Sequence, residues 1–308
     1  MLAVFALAVL AVVAAAAPLL TYSLSLAVFG LAHVAVELRF VESRYGPRLS
    51  RSLIRGLAAL LVAVVLLRLA AFTALIDPVL RLQLELGVVA LLTASVLVDL
   101  GLKAGVASRL AVVGGGLIGL GAAVSPVGTM LVLAVLHNWT PIGLVGEAAP
   151  ASERRRWGAW GLLAFGGIPL LLAAGPLHAM TQGWGLTDLT ILPTGALSGH
   201  LGVVLPSGWH GFDWAVRLFS AVAFAQCIHY LAVLGVMPRW MRAHPVGPLT
   251  AVPAGVFAAL VVAGSAVWFA GYLTDFRMAR SVYAVFAAVH AWVELPMLVL
   301  AARRVGAA

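Results

Sequence analysis

The sequence predicts an all-α, polytopic integral membrane protein, a bundle of about ten transmembrane helices that form a single transmembrane domain over residues 1–308. Of its residues, 63% are hydrophobic and 10% are charged, whereas soluble domains have roughly 45–50% and 25%. The mean hydropathy is +1.08. The apolar residues also fall in runs long enough to cross a hydrocarbon core of about 30 Å. Together these observations exclude a water-soluble core.

Ten apolar stretches of about 17 to 25 residues can be read along the chain. They lie at about 2–17, 20–41, 52–76, 79–101, 109–125, 127–146, 157–178, 212–237, 248–272 and 278–302. Only Pro18 divides the first pair, and only Ser125 and Pro126 divide the fifth from the sixth. Residues 1–17 could instead be a secretory signal, but no basic residue precedes the apolar run, so a retained helix is expected.

The basic residues indicate the orientation of the helices. Lys and Arg number 19 against 11 Asp and Glu, a net charge of +8, and they concentrate in alternate connectors, as the positive-inside rule requires. With a cytoplasmic amino terminus, the cytoplasmic side receives Arg39, Arg44, Arg48, Arg51, Arg55, Lys103, Arg109, Arg154, Arg155, Arg156, Arg239, Arg242, Arg303 and Arg304. The outer side receives Arg81, Arg217, Arg277 and Arg280, and Arg68 falls inside a span. Both termini are therefore expected on the cytoplasmic side of the membrane, which is expected to be a prokaryotic plasma membrane. The positive charge is assigned to lipid headgroups and not to nucleic acid.

Four histidines lie inside predicted spans that all run from outside to inside. They are His33, His137, His229 and His290, each about 8 to 12 residues before the cytoplasmic end of its helix. The four side chains are therefore expected within about one helical turn of each other in depth. Because ionisable groups are costly inside a bilayer and tend to serve a function there, this agreement predicts a buried metal site.

Two of these histidines share a motif with a glutamate. His33 is followed by Glu37 and His290 by Glu294, and a spacing of four residues places both side chains on one helix face. Each carboxylate is expected either to bind the metal or to accept a hydrogen bond from the outer ring nitrogen of a ligand histidine.

The other two histidines have different polar neighbours. His137 is followed by Asn138 and then Pro141, whose ring leaves the carbonyl of His137 without a helical donor, so a kink is expected there. His229 is preceded by Gln226 and followed by Tyr230.

The remaining polar groups are interpreted more simply. The histidines outside the spans are expected at the membrane interface as polar groups; they are His178, His200, His210 and His244. Glu85 and Asp99, both in the fourth span, are ambiguous, and Asp99 is either solvated or an additional carboxylate of the site.

Imidazoles with a few carboxylates are ligands of iron, zinc, copper or manganese. With one cysteine in the chain, Cys227, an iron–sulfur cluster is not expected. Histidines buried where a substrate arrives from the lipid favour Fe(II) that activates dioxygen, with a lipophilic small molecule as substrate.

Three segments resemble the bacterial and archaeal Brp/Blh family of membrane β-carotene 15,15′-dioxygenases. They are 30–33 with Glu37, 226–230 continuing to Met237-Pro238, and 283–294 in the last helix. The first segment has Ala32-His33-Val34 and a glutamate where that family has Pro-His-Gly and an aspartate. The resemblance implies iron bound by intramembrane histidines and oxidative attack on a conjugated polyene. The leading hypothesis is therefore an iron-dependent membrane oxygenase that acts on a carotenoid or a similarly lipophilic molecule. In it, His33, His137, His229 and His290 would bind the iron, and Glu37 and Glu294 would ligate or orient. Tyr230 and Asn138 would shape the pocket for oxygen or substrate.

Two other classes of function remain open from the sequence. The histidines could be axial ligands of haem in an electron-transfer protein. Alternatively, His and Glu could line a pathway for metal ions or protons, although a transporter is expected to carry polar groups at several depths.

Overall fold

The computed structural model describes residues 2–73, 75–97, 105–241 and 245–305. Four residues discussed above lie outside the described residues: Asp99, Lys103, Arg242 and His244. The side chains of Arg303 and Arg304 are likewise not described.

Regular structure in these ranges is helical, without a β-strand. The helices are α1 Leu2–Ala16, α2 Pro18–Tyr45, α3 Arg51–Ala70, α4 Pro78–Ser95, α5 Val106–Val124, α6 Pro126–His137, α7 Thr140–Ala148, α8 Ala151–Leu162, α9 Ile168–Ala174, α10 Pro176–Thr181, α11 Asp213–Leu231, α12 Pro248–Ala251, α13 Ala254–Thr274 and α14 Phe276–Val305. Two π-helical segments, Leu163–Gly167 and Ala232–Val236, continue α8 into α9 and extend α11. Single 3₁₀ turns lie at Gly46–Arg48, Gln182–Trp184, Leu197–Gly199, Leu201–Val203, Ser207–Trp209 and Met237–Trp240.

Nine helical segments of the described chain are long and apolar enough to cross a membrane. They are Pro18–Arg48, Arg51–Ala70, Pro78–Ser95, Val106–Val124, Pro126–Ala148, Ala151–Ala174, Asp213–Trp240, Ala254–Thr274 and Phe276–Ala302. This is one fewer than the ten expected. The difference is α1, which at 15 residues is shorter than the roughly 20 residues that a full crossing needs.

Prolines set several helix boundaries, as the sequence indicated. Helix α1 ends at Ala16 and α2 begins at Pro18; α5 ends at Val124 and α6 begins at Pro126. Proline suits the first turn of a helix because its missing N–H would have no intrahelical acceptor there. The two adjacent apolar runs are therefore divided into separate helices.

Three helices form the centre of the bundle. In the most apolar stretch of each of these helices, more than half of the residues are buried; the helices are α2, α11 with its extension, and α14. In the corresponding stretch of α13, only 6% of the residues are buried. Helix α13 is thus apolar on nearly all its exposed sides, as expected of a helix that faces lipid. The central helices carry three of the four predicted histidines.

The segment between α10 and α11 folds over one end of this centre. Its apolar side chains Leu197, Leu201 and Leu205 are at most 4% exposed and belong to one core cluster with Tyr22 and Phe219. The loop is therefore a packed cover and not a free connector.

Buried carboxylates elsewhere in the bundle are paired with arginines. Glu147 contacts the guanidinium groups of Arg44 and Arg48 at 2.9 and 3.0 Å. Glu85 contacts Arg68, which explains an arginine inside a predicted span. These pairs compensate the cost of burying charge.

Candidate metal centre

The six predicted ligands come from four helices. His33 and Glu37 are on α2, His229 is near the end of α11, and His290 and Glu294 are on α14. His137 is the last residue of α6. Apart from His137, all are at most 1% exposed.

Helix irregularities lie beside two of the histidines. After His137 the chain leaves the helix for two residues before α7 begins, and the Thr140 hydroxyl donates to the His137 carbonyl at 2.8 Å. This is the expected interruption, with a hydroxyl in place of the missing helical donor. Shortly after His229, α11 widens into its π-helical extension at Ala232, a feature that often accompanies functional sites.

The Nε2 atoms of three histidines converge on one region. His290 Nε2 is 3.1 Å from His33 Nε2 and 3.1 Å from His137 Nε2. One nitrogen from each of these residues and from His229 lies within 4.8 Å of the others. The common depth predicted from the spans thus corresponds to a real cluster of side chains.

The outer hydrogen bonds fix the tautomers of two rings. His33 Nδ1 lies 3.2 Å from the Phe29 carbonyl and His137 Nδ1 lies 2.8 Å from Glu294 Oε2, and each Nδ1–H donates to that oxygen. Both Nε2 atoms then present a lone pair to the centre. His290 Nε2 lies between them and can donate at most one hydrogen bond. Pairwise hydrogen bonding therefore leaves at least one buried lone pair without a partner.

A metal ion satisfies this arrangement. Imidazole nitrogens bound to a first-row metal at about 2.0–2.1 Å lie roughly 2.8–3.4 Å apart, from adjacent octahedral positions to tetrahedral ones. The two observed separations of 3.1 Å lie in that range. The residues present therefore fit a transition metal that is coordinated by imidazole.

The glutamates pair across helices. Glu294 accepts from His137, and Glu37 Oε2 is 3.4 Å from His229 Nε2, so neither carboxylate binds the histidine of its own motif. Glu37, His229, His290 and Glu294 form a second set whose ligand atoms lie within 4.8 Å of one another. The shared helix face was predicted, but the partner of each carboxylate was not.

Several atoms of this second set have no hydrogen-bond partner. They are both carboxylate oxygens of Glu37, both ring nitrogens of His229, His290 Nδ1 and Glu294 Oε1. Unlike Glu85 and Glu147, Glu37 and Glu294 have no arginine or lysine within ion-pair distance in the described chain. Two carboxylates buried among imidazoles call for a cation.

A cavity of about 470 Å³ opens beside the cluster. His33, His137 and His290 form part of its wall, and most of the remaining wall is apolar, including Leu26 and Val222. This volume falls in the roughly 300–1,000 Å³ range of small-molecule sites. An apolar ligand in it would contact the histidines directly.

Both predicted pocket residues line this cavity. The Tyr230 ring centroid is 4.2 Å from that of His33. The Asn138 amide donates to the carbonyls of Ala134 and Val135 at the end of α6. Gln226 also lines the cavity, and its amide donates to Ser25 Oγ at 2.9 Å, which ties α11 to α2.

The three described histidines outside the spans do not join the cluster. His178 and His210 are partly buried, whereas His200, expected at the interface, is 2% exposed. His200 Nε2–H donates to the Thr194 carbonyl at 3.0 Å, and Arg280 Nη1 donates to His200 Nδ1 at 3.1 Å. No sequence pattern indicated this pairing, because it depends on how the covering loop folds.

Comparison with known protein families, with curated proteins and with solved structures finds no match for this chain.

Proposed function

We propose that this protein is a membrane-embedded, non-haem iron oxygenase that acts on a carotenoid or a similarly lipophilic molecule. The observation that carries the proposal is the convergence of three imidazole Nε2 atoms on the wall of a largely apolar cavity. The Nε2 atom of His290 lies 3.1 Å from that of His33 and 3.1 Å from that of His137. The resemblance of three short segments to the Brp/Blh family supports the choice of iron and of a polyene.

The chain's own residues would hold and orient the ion. His33, His137 and His290 would bind through Nε2, with His229 as a further ligand from the same set. Glu294 keeps His137 in the required tautomer, and such carboxylate–histidine pairs raise ligand basicity. Glu37 would neutralise the ion from the side of His229.

When bound, iron supplies the activation of dioxygen. The proposed reaction adds both atoms of one O₂ across one C=C bond of the substrate, breaks that bond and leaves one carbonyl on each carbon. No external reductant is consumed. The largely apolar wall of the cavity would disfavour water beside the ligands and so protect reactive oxygen species. Tyr230 and Asn138 would form the wall of the space beside the ligands.

Metal analysis tests the proposal. Purified protein should contain transition metal in stoichiometric amount, iron in preference to zinc. Because His33 is a central ligand, His33→Ala should lose the metal, whereas His178→Ala, which removes a histidine far along the chain from the cluster, should retain it. Wild-type protein without bound metal, or equal metal in both variants, would contradict the proposal.

Turnover is tested with β-carotene in detergent micelles. Loss of polyene absorbance and formation of carbonyl products should require air and should fail in His33→Ala. The same preparation's spectrum separates the haem alternative, which would give a Soret band. We disfavour haem because imidazole nitrogens 3.1 Å apart leave no room for a porphyrin between them.

We propose a plasma-membrane location with a cytoplasmic carboxyl terminus, on the distribution of arginines. A fluorescent protein fused to the carboxyl terminus should fold and fluoresce in a bacterial host, and an alkaline phosphatase fusion should be inactive. The opposite pattern would reverse the orientation.

A further inference from the structure

The cavity beside the histidines has a charged end. Arg280, Ser281 and Tyr22 form its wall at a distance from the cluster. Arg280 and His290 are both on α14, ten residues apart, which corresponds to about 15 Å along the helix. Most of the remaining wall is apolar, with Leu26, Val222 and several alanines, and Gln226 and Tyr283 also line it.

Arg280 has a neutral partner. Its Nη1 donates to His200 Nδ1 at 3.1 Å, and the bond from His200 Nε2–H to the Thr194 carbonyl fixes the tautomer that accepts it. Burial, followed by the charges of Arg280 and Arg277, lowers the pKa of His200, which agrees with a neutral ring. The guanidinium charge is therefore oriented but not cancelled.

No carboxylate in the described chain lies within ion-pair distance of Arg280. Arg68, the other arginine that lines this cavity, differs because it pairs with Glu85. The Tyr22 hydroxyl, which interacts with Arg280, is a neutral group as well. A guanidinium on a cavity wall with only neutral partners is suited to bind an oxyanion.

We infer that Arg280 binds the terminal carboxylate of a long apolar substrate whose body lies along the cavity and whose reacting carbon lies beside the histidines. This inference rests on the proposed function and narrows its substrate to an acid-ended polyene or similar chain. The distance from Arg280 to His290 would then set the position of attack relative to the acid end. His200 is a positioning residue, because it fixes the guanidinium without facing the metal ligands.

Binding of cis-parinaric acid, a fluorescent polyene fatty acid, tests the inference against its methyl ester. Energy transfer from tryptophan to the probe reports bound ligand, since Trp292 lines the same cavity. Wild-type protein in detergent should bind the acid at least tenfold more tightly than the ester. Arg280→Gln should lower the affinity for the acid to that for the ester, and Arg280→Lys should keep part of the preference.

The matched control is Arg55→Gln, which changes an exposed arginine of α3 that does not line the cavity and should bind both probes as the wild type does. Equal affinity of wild type for acid and ester, or an undiminished preference in a folded Arg280→Gln variant, would overturn the inference. Metal content measured on the same samples keeps the two proposals apart. Protein that holds metal but lacks acid preference refutes the carboxylate site alone, and protein that prefers the acid but holds no metal refutes the oxygenase alone.

Discussion

The two buried carboxylates of the candidate metal centre should lower the stability of the metal-free protein and strengthen the binding of metal. Glu37 and Glu294 are fully buried and have ligand oxygens within 4.8 Å of each other. At that separation two ionised carboxylates repel each other by about 3 kcal/mol at an effective dielectric constant of about 20. Without a cation, folding must bear either this repulsion or the uptake of a proton by one of the two carboxylates.

The informative change is Glu294→Gln, which removes one charge and keeps an amide oxygen that can accept the hydrogen bond from His137. The metal-free variant should be more stable than the metal-free wild type by up to about 3 kcal/mol, the repulsion that is removed. Its metal affinity should fall about 10- to 100-fold, as is typical when the carboxylate behind a ligand histidine is lost. At saturating metal the stabilisation by metal should therefore shrink by roughly 1.4–2.7 kcal/mol.

The chain contains its own reporter of unfolding. Cys227 is the sole cysteine and is buried, so a thiol-reactive fluorescent dye should react with it only when the bundle opens. Melting curves in detergent, with chelator and with a metal titration, give both stabilities in one assay. In chelator, Glu294→Gln should melt at a higher temperature than wild type. With saturating metal, this difference in melting temperature should shrink or change sign.

Glu85→Gln is the matched control, because Glu85 is an equally buried glutamate that has cationic partners. Its Oε1 accepts from Arg68 and, at 3.0 Å, from the Trp292 indole N–H. The substitution should lower the stability by about 1–3 kcal/mol, with chelator or metal alike, since it removes a charge-assisted hydrogen bond. A metal-free Glu294→Gln that melts at or below wild type, in step with Glu85→Gln, would refute the reasoning.

Three further predictions concern the scaffold. Gly175, between α9 and α10, has φ of +97° and lies against the Arg217 side chain, so Gly175→Ala should lower the melting temperature by an amount equivalent to about 1–2 kcal/mol. Gly115→Leu should push α4 away from α5 and lower the melting temperature, because even a Cβ there would lie 3.1 Å from the Ala90 carbonyl oxygen. An unchanged melting temperature would contradict this close contact. Burial and nearby guanidinium groups lower the pKa of His200, so the covering loop should keep its stability above about pH 6.5 and lose it as the pH falls below, because the opened loop binds the proton more readily. Hydrogen exchange of residues 192–205 at pH 5 and pH 8 measures this, and equal protection would contradict it.

The helices followed from the length and composition of the apolar runs. Regular helices cover most of each predicted span, and the breaks at Pro18 and Pro126 occur where proline has no N–H to donate. The first run differs because Pro18 limits α1 to 15 residues. Length alone could not decide whether so short a helix crosses a membrane.

The histidine cluster was predictable for a different reason. Depth in a bilayer is a one-dimensional coordinate that residue counting along co-directional helices supplies, so His33, His137, His229 and His290 could be aligned without knowledge of the packing. The rotation of each helix about its axis is not available from such counting. It determines that Glu294 contacts His137 and that Glu37 contacts His229, which is why the crosswise pairing was not foreseen.

The inferred carboxylate site at Arg280 and the metal ligand His290 lie on the same helix. They are ten positions apart on continuous α14, whose only internal proline, Pro296, lies beyond the histidine. Their separation of about 15 Å is therefore fixed by the rise of a helix, whereas His200, on the covering loop, sets only the direction of the guanidinium. Perturbing the loop should then weaken binding of an acid-ended substrate without moving the position of attack along its chain. Inserting or deleting residues of α14 between the two sites would change that position, because it alters the distance itself.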